Sequence, residues 1–237
     1  IDCGINVLMV ASHCSEANIC RQHIEYATKK GLKVFGVLMM SHMLNAKELL
    51  LQAKLMQDYG AIGVILMDSA GAYLPEDVTK KIKVIVNGLK IDVGFHAHNN
   101  LGMTIANSVA AVKAGAKIID ATSRGLGAGA GNCQLEVIVA VLLKMGYKLN
   151  LDLFGLMDNS EKIIAKVGAK PQEISAVSLT SGLAGVFSGF APYVKIAAER
   201  FGVDTRDILI ELGRKKIVAG QEDMIVDVAM NLKQKKI

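Results

Sequence analysis

The 237-residue chain has no tryptophan and only three prolines, and aromatic residues make up 5% of it. So little proline argues against a loop-rich fold and favours regular elements. The four cysteines, Cys3, Cys14, Cys20 and Cys133, show no CxxC spacing. That excludes a zinc ribbon or thioredoxin-type motif, and thiols in apolar sequence suit a reduced, cytoplasmic setting. No apolar run reaches the roughly 18–20 residues of a membrane-crossing helix, and no signal-peptide pattern opens the chain. GxSxG, HExxH and P-loop signatures are missing as well. The formal charge of +5 is modest and no aromatic residues interleave with the scattered lysines, so nucleic acid is not an expected partner. Lys29-Lys30, Lys80-Lys81, Arg214-Lys215-Lys216 and Lys235-Lys236 read as solvated faces and helix C-termini.

What the chain does have is rhythm. Apolar, strand-like runs at Asn6–Ser12, Lys33–Met40, Gly63–Ser69, Asp92–His98 and Lys117–Thr122 start 27, 30, 29 and 25 residues apart. Amphipathic segments lie between them at Glu16–Lys30, Ala46–Tyr59, Pro75–Leu89 and Met103–Ala114, and a fifth at about Leu135–Met145 follows. Continuous apolar strands alternating with helices predict parallel βα units buried on both faces. Glycines at 31, 60, 88, 115 and 146 mark the helix stops. The spacing suits either an open doubly wound sheet or part of a TIM barrel. Beyond about Asn150 the rhythm ends, and Leu156–Val167, Ala191–Phe201, Thr205–Gly213 and Glu222–Lys235 read as helices. Two domains are therefore expected, residues 1–149 and 150–237.

Polar residues collect where the strands end, the side on which parallel α/β folds keep their chemistry. Two of the five histidines, His96 and His98, stand there one residue apart. Side chains at i and i+2 of a strand share a face, so both imidazoles can aim at one divalent cation. With no cysteine beside them and Asp, Asn and Ser oxygens around, a harder ion such as Mn²⁺ or Mg²⁺ is favoured over zinc. A third, anionic ligand is needed. Asp68 and Asp120 are candidates for it, with helix capping or a rim hydrogen bond as the competing role. In Asp68-Ser69-Ala70-Gly71-Ala72, a hydroxyl and loop amides ahead of the helix at Pro75 suit a carboxylate or carbonyl oxygen, or form a plain helix N-terminal turn. The run Arg124–Asn132 contains a loose GxGxxA pattern but lacks the following strand and acid of a dinucleotide site. Its glycines instead suit close approach of backbone to a ligand or a neighbouring loop. His13 and His42 are strand-end acid/base candidates or rim hydrogen-bonders, and His23 reads as structural.

With these residues in place, the chain resembles the metal-dependent 4-hydroxy-2-oxovalerate aldolases, whose wider relatives are the isopropylmalate synthase and hydroxymethylglutaryl-CoA lyase barrels. The resemblance rests on Ala11–Ala17, Met39–Met43, Asp68–Ala72, His96–Leu101, Gly127–Asn132 and Gly220–Ala229, in that order. It implies an α/β TIM (β/α)8 barrel, here strands 4–8 only, followed by an all-helical partner-binding (communication) domain. It implies that His96 and His98 are metal ligands and that Ser69 contacts the pyruvate moiety. Asn132 matches a metal-ligating asparagine of the lyases and supports the site in the aldolases. The implied cofactor is a divalent metal, Mn²⁺ foremost, with Mg²⁺ or Co²⁺ as alternatives. As a Lewis acid it stabilises a pyruvate enolate during cleavage to pyruvate and acetaldehyde, a step of aromatic hydrocarbon catabolism. The implied partner is an acylating acetaldehyde dehydrogenase docked on the C-terminal helices, in an oligomer.

Two departures from the family pattern stand out. The family's Arg-Asp pair and catalytic histidine belong to a first strand that precedes Ile1, so about 100 N-terminal residues are expected to be absent and this chain alone to be weakly active. A family tyrosine is Phe187 here, within Gly185-Val186-Phe187-Ser188, and Ala219 replaces a glycine near the aldehyde channel. Two alternatives therefore stand beside the aldolase: a related carbon–carbon lyase or synthase on another 2-oxo acid, and a non-catalytic assembly subunit.

Overall fold

The computed structural model describes residues 4–167 and 172–235, so Ile1, Cys3 and Lys236 lie outside the described residues. Five strands, β1 (Val7–His13), β2 (Lys33–Met39), β3 (Gly63–Asp68), β4 (Asp92–Ala97) and β5 (Ile118–Asp120), form one parallel sheet in sequence order. The helices are α1 (Arg21–Lys29), α2 (Ala46–Asp58), α3 (Pro75–Gly88), α4 (Thr104–Lys113), α5 (Leu135–Lys144), α6 (Leu153–Lys162), α7 (Ala176–Ala184), α8 (Ala191–Phe201), α9 (Thr205–Arg214) and α10 (Asp223–Gln234). The chain divides into two compact units. The first comprises the chain up to Asp68, Tyr73–Ala97 and Ala106–Asp120; the second comprises Ser69–Ala72, His98–Ile105 and everything from Ala121 onward.

The first unit contains the sheet. Strand β3 is buried along almost its whole length, the mark of a parallel strand covered on both faces. Its core joins Leu38, Leu66 and Phe95 of the strands to Ile24, Leu49, Met56 and Ile82 of the helices. Local chemistry sets the helix starts. Asn45 Oδ1 accepts from the Lys47 and Glu48 amides at 3.0 Å, and Glu48 Oε2 accepts from the Asn45 amide at 2.9 Å. This reciprocal capping box satisfies donors that the first helical turn leaves open. Pro75 opens α3, and Asp77 Oδ2 accepts from the Leu74 amide at 3.2 Å.

Several expected boundaries shift. The first helix starts as a 3-10 turn over Ala17–Cys20. Strand β5 is shorter than the apolar run, because Thr122 leaves the sheet to bridge Gln134. Gly88 is the last residue of α3, as expected, but lacks the left-handed φ of Gly31, Gly60, Gly115 and Gly146; a side chain there would collide with Leu50.

In the second unit a helical core gathers Phe190, Val194, Ile208, Leu209, Leu212, Ile225 and Val228. Helix α6 starts earlier than the apolar pattern indicates, because Asp152 Oδ1 accepts from the Gly155 amide at 3.0 Å. Helix α7 was not foreseen. Its sequence, AVSLTSGLA, carries no charge and many residues that also suit turns. Ser175 caps it, Gly185 ends it in the left-handed region, and its buried face is Ser178, Ser181 and Gly182. Small side chains let α9 approach so closely that a side chain at Gly213 would strike the Ala184 carbonyl.

Candidate metal and substrate site

His96 belongs to the first unit and His98 to the second, so each is described with its own surroundings. His96 lies on β4, buried, in register with Asp120 on β5. Its Nδ1 sits 2.9 Å from Asp120 Oδ2. A carboxylate at Nδ1 fixes the proton there in the neutral ring, so Nε2 carries the lone pair that a metal would take. Asp120 is thus an orienting group for His96, the rim role that competed with ligation. Asp68, fully buried at the end of β3, accepts from the Tyr73 amide at 3.0 Å and shapes the turn into α3. Among the described residues, no three of His, Cys, Asp and Glu come together as a metal-holding group, so neither carboxylate completes one.

In the second unit, His98 bridges Asn132 in antiparallel fashion, and its Nδ1 lies 3.4 Å from the Ala128 carbonyl. The Asn132 Nδ2 donates to the Leu126 carbonyl at 3.0 Å, which fixes the carboxamide's orientation. Its Oδ1 is buried and accepts no hydrogen bond from the described residues. Such an orphan oxygen is costly unless something else uses it. A carboxamide oxygen and an imidazole are donors that a hard divalent cation accepts, so the residue types present suit the metal that the resemblance implies. Gly127 makes this possible: a Cβ there would stand 2.5 Å from Asn132 Nδ2. The Gly-rich loop is therefore built for close approach of neighbouring protein groups. At its start Arg124 takes a left-handed φ of 56°, with its amide 3.0 and 3.3 Å from the Glu136 carboxylate oxygens.

Ser69 is fully buried in the β3–α3 loop, and its carbonyl accepts from the Ser188 amide at 3.0 Å and the Ser188 hydroxyl at 2.8 Å. Phe187, next in chain, meets Phe190 edge-on with ring centroids 5.5 Å apart and packs against the helical core. Ala219 is exposed in the turn between α9 and α10. In the first unit His13 Nδ1 lies 2.7 Å from Ser15 Oγ, and burial lowers its pKa. His42 lies in a 3-10 turn after β2, and His23 is exposed on α1.

Sequence reasoning missed two features. Lys81 is half-buried: its Nζ donates to the Tyr73 hydroxyl at 2.8 Å and the Ser41 carbonyl at 3.0 Å. The lysine pair resembled an exposed helix face, and only the burial of Tyr73 distinguishes it. Asn100 is the other, a fully buried amide within the second unit.

The HMGL-like family model matches residues 6–163, and a model of the DmpG-like communication domain matches residues 172–234. A 4-hydroxy-2-oxovalerate aldolase of Geobacillus genomosp. 3 is 52% identical over 235 residues, covering 99% of this chain and 70% of that protein. The chain belongs to the HMGL-like family, among the 4-hydroxy-2-oxovalerate aldolases. The aldolase of Pectobacterium atrosepticum is 51% identical over 98% of this chain and 68% of its own length. Among solved structures, the carboxyl transferase domain of Rhizobium etli pyruvate carboxylase aligns with TM-score 0.82 at 18% identity, over 98% of this chain and 42% of that one. Bacillus subtilis HMG-CoA lyase aligns with TM-score 0.65 at 23% identity, over 72% of this chain and 66% of that one. At such identities the likeness is one of fold. Among the described residues no helix is long and apolar enough to cross a membrane.

Proposed function

We propose that this chain is a divalent-metal aldolase cleaving 4-hydroxy-2-oxovalerate to pyruvate and acetaldehyde. Identity near one half to aldolases of that name over nearly the whole chain carries this reading. The Asp120–His96 pair and the orphan oxygen of Asn132, whose backbone bridges to His98, support it. In the reaction the C3–C4 bond breaks, the C4 hydroxyl loses its proton as the aldehyde forms, and the electron pair left on C3 takes a proton to give pyruvate. When bound, the cation (Mn²⁺ foremost) supplies Lewis-acid polarisation of the oxo-acid oxygens. His96 and His98, one residue apart in sequence, would hold it, with Asn132 in support. Asp120 keeps the His96 ring in one tautomer and orientation. Ser69 would orient the pyruvate end.

In this reading residues 1–149 form the catalytic part of a (β/α)8 barrel. Residues 150–237 serve docking of an acylating acetaldehyde dehydrogenase in a cytoplasmic oligomer, in keeping with the communication-domain match. Three buried thiols, Cys14, Cys20 and Cys133, suit a reducing compartment.

The test is pyruvate release from 4-hydroxy-2-oxovalerate, read with lactate dehydrogenase. Turnover, slow if need be, is expected with Mn²⁺ and none after chelation. Metal-independent release, or none from any 4-hydroxy-2-oxo acid, overturns the proposal. Phe187 favours one second reading, a related lyase on another 2-oxo acid, since its ring offers no hydroxyl for proton transfer. A set of 4-hydroxy-2-oxo acids of different chain length separates the two by their kcat/KM order.

A further inference from the structure

Asn100 is fully buried, two residues after His98, and its side chain hydrogen-bonds to three segments of the second unit. Its Nδ2 donates to the Ala70 carbonyl at 2.8 Å and to Ser188 Oγ at 2.9 Å. Its Oδ1 accepts from the Ala130 amide at 2.9 Å. Both donors are used and the oxygen is engaged, which is the condition under which a buried amide is tolerated. The three partners lie in the β3–α3 loop, in the Gly-rich loop and in the turn between α7 and α8. Ser188 closes the circuit through its two bonds to the Ser69 carbonyl.

The glycines around it make an independent point. Gly71 has φ +60°, and a Cβ there would stand 2.8 Å from the Asn100 amide and 2.9 Å from the His98 carbonyl. Gly129 has φ +64°, and a Cβ there would run into Asn100 Oδ1. On α7, a Cβ at Gly182 would stand 3.0 Å from Asn100 Cβ. Three segments thus omit side chains where they meet this one amide. A methyl would not fit, and an apolar side chain at 100 would leave the Ala70 carbonyl and the Ala130 amide without their buried partner.

We propose that Asn100 is the positioning residue of the oxo-acid subsite, locking the Ser69 loop, the Gly-rich loop that leads to Asn132 and the Phe187–Ser188 turn into one arrangement. It rests on the aldolase reading for the roles of Ser69 and Asn132. It acts through those segments and not on the substrate itself.

Asn100→Asp keeps the shape but replaces the NH2 group, with both its N–H donors, by one acceptor oxygen. With the full chain and Mn²⁺, KM for 4-hydroxy-2-oxovalerate is expected to rise about tenfold or more, the scale of a lost buried hydrogen bond. The fall in kcat is expected to be smaller than the rise in KM, and Mn²⁺ affinity to shift less than KM. Ser188→Ala, which removes one arm of the circuit, should move KM the same way by less, and carries the test if Asn100→Asp does not fold. Hydrogen exchange should show the Ala130 and Ser188 amides losing protection together in Asn100→Asp. A KM that stays put while activity merely tracks the folded fraction overturns the proposal. So does exchange at both amides that matches wild type. A wild-type chain that neither turns over nor binds pyruvate would instead sink the aldolase reading, and the exchange result would then decide the role of Asn100 alone.

Discussion

The two units hold their key residues in place by different means. In the first, large apolar side chains such as Phe95, Leu66 and Met56 fill the space around the sheet, and His96 rides on a strand fixed by ladder hydrogen bonds. In the second, the loops that carry Ser69, His98 and Asn132 are tied by buried amides and hydroxyls, with glycine wherever two segments must touch. Apolar packing resists deformation in all directions and tolerates volume-conserving change. Hydrogen-bonded loops are fixed by a few directional contacts, so one substitution there releases several residues at once. Apart from the strand-end pair His96 and Asp120, the first unit should therefore lose chiefly stability when altered, and the loops of the second should lose function.

The hardest way to break this contrast is at the histidines. His96→Ala and His98→Ala are each expected to reduce Mn²⁺-dependent pyruvate release to background in the coupled assay. If His98→Ala kept turnover while His96→Ala did not, the loop histidine would be relieved of its role and the contrast would need redrawing.

Stability measurements sharpen it next. Phe95 is fully buried and stacks on Tyr73 with ring centroids 6.2 Å apart. Phe95→Ala is expected to lower unfolding free energy by about 3–5 kcal/mol. Ser181 in α7, whose hydroxyl donates to the Val186 carbonyl at 2.9 Å, should cost only about 1 kcal/mol as Ser181→Ala. Urea unfolding of both variants checks the difference, and equal losses would erase the contrast.

A smaller effect is expected where the strand histidine meets its carboxylate. Asp120→Asn leaves the strand pairing intact but weakens control over the His96 ring. Metal affinity should fall about 10–100-fold, as read by Mn²⁺ titration. An unchanged affinity would mean that the sheet alone orients His96.

The contrast also explains how much of the molecule was legible in the sequence. Strands β2 to β4 showed themselves because a parallel strand buried on both faces must be a continuous apolar run. Helices α8 to α10 carry alternating charge and apolar positions. Helix α7 does not: its buried face is serine and glycine, so its signal is shape complementarity to α9, which periodicity does not record. The strand that carries His96 was legible in the sequence, but it was expected to run to His98 and ends at Ala97, so His98 lies just beyond it in a bridge to Asn132. The Asp120 contact was not legible, because residues 96 and 120 meet only through the register of β4 and β5. Asn100 was hidden for the same reason, as its partners lie 30 and 88 residues away in sequence.

The smallest expected effect probes a place where the first unit also depends on buried polar contacts. Lys81 Nζ stands 4.5 Å from the Tyr73 ring centroid besides its two hydrogen bonds, and burial pushes its pKa down to about 8. Asp77, Cys14 and Asp68 act in the opposite direction and Lys80 with it, but burial outweighs them. The unfolded chain keeps the ordinary lysine value near 10.4. Between pH 8 and about 10 the unfolded state therefore binds more protons, so this group makes stability rise with pH across that window and adds no slope below it. Burial pushes the Cys14 thiol up to about 12 and the Tyr73 hydroxyl well above its usual range, so both lose their protons first in the unfolded chain and oppose the lysine's slope, in wild type and variant alike. The difference in urea midpoint between wild type and Lys81→Met should therefore shift in favour of wild type from pH 8 to 10, measured for both at each pH. A variant that keeps the wild-type slope would show that Lys81 stays charged beside Tyr73, held by its hydrogen bonds against the pull of burial.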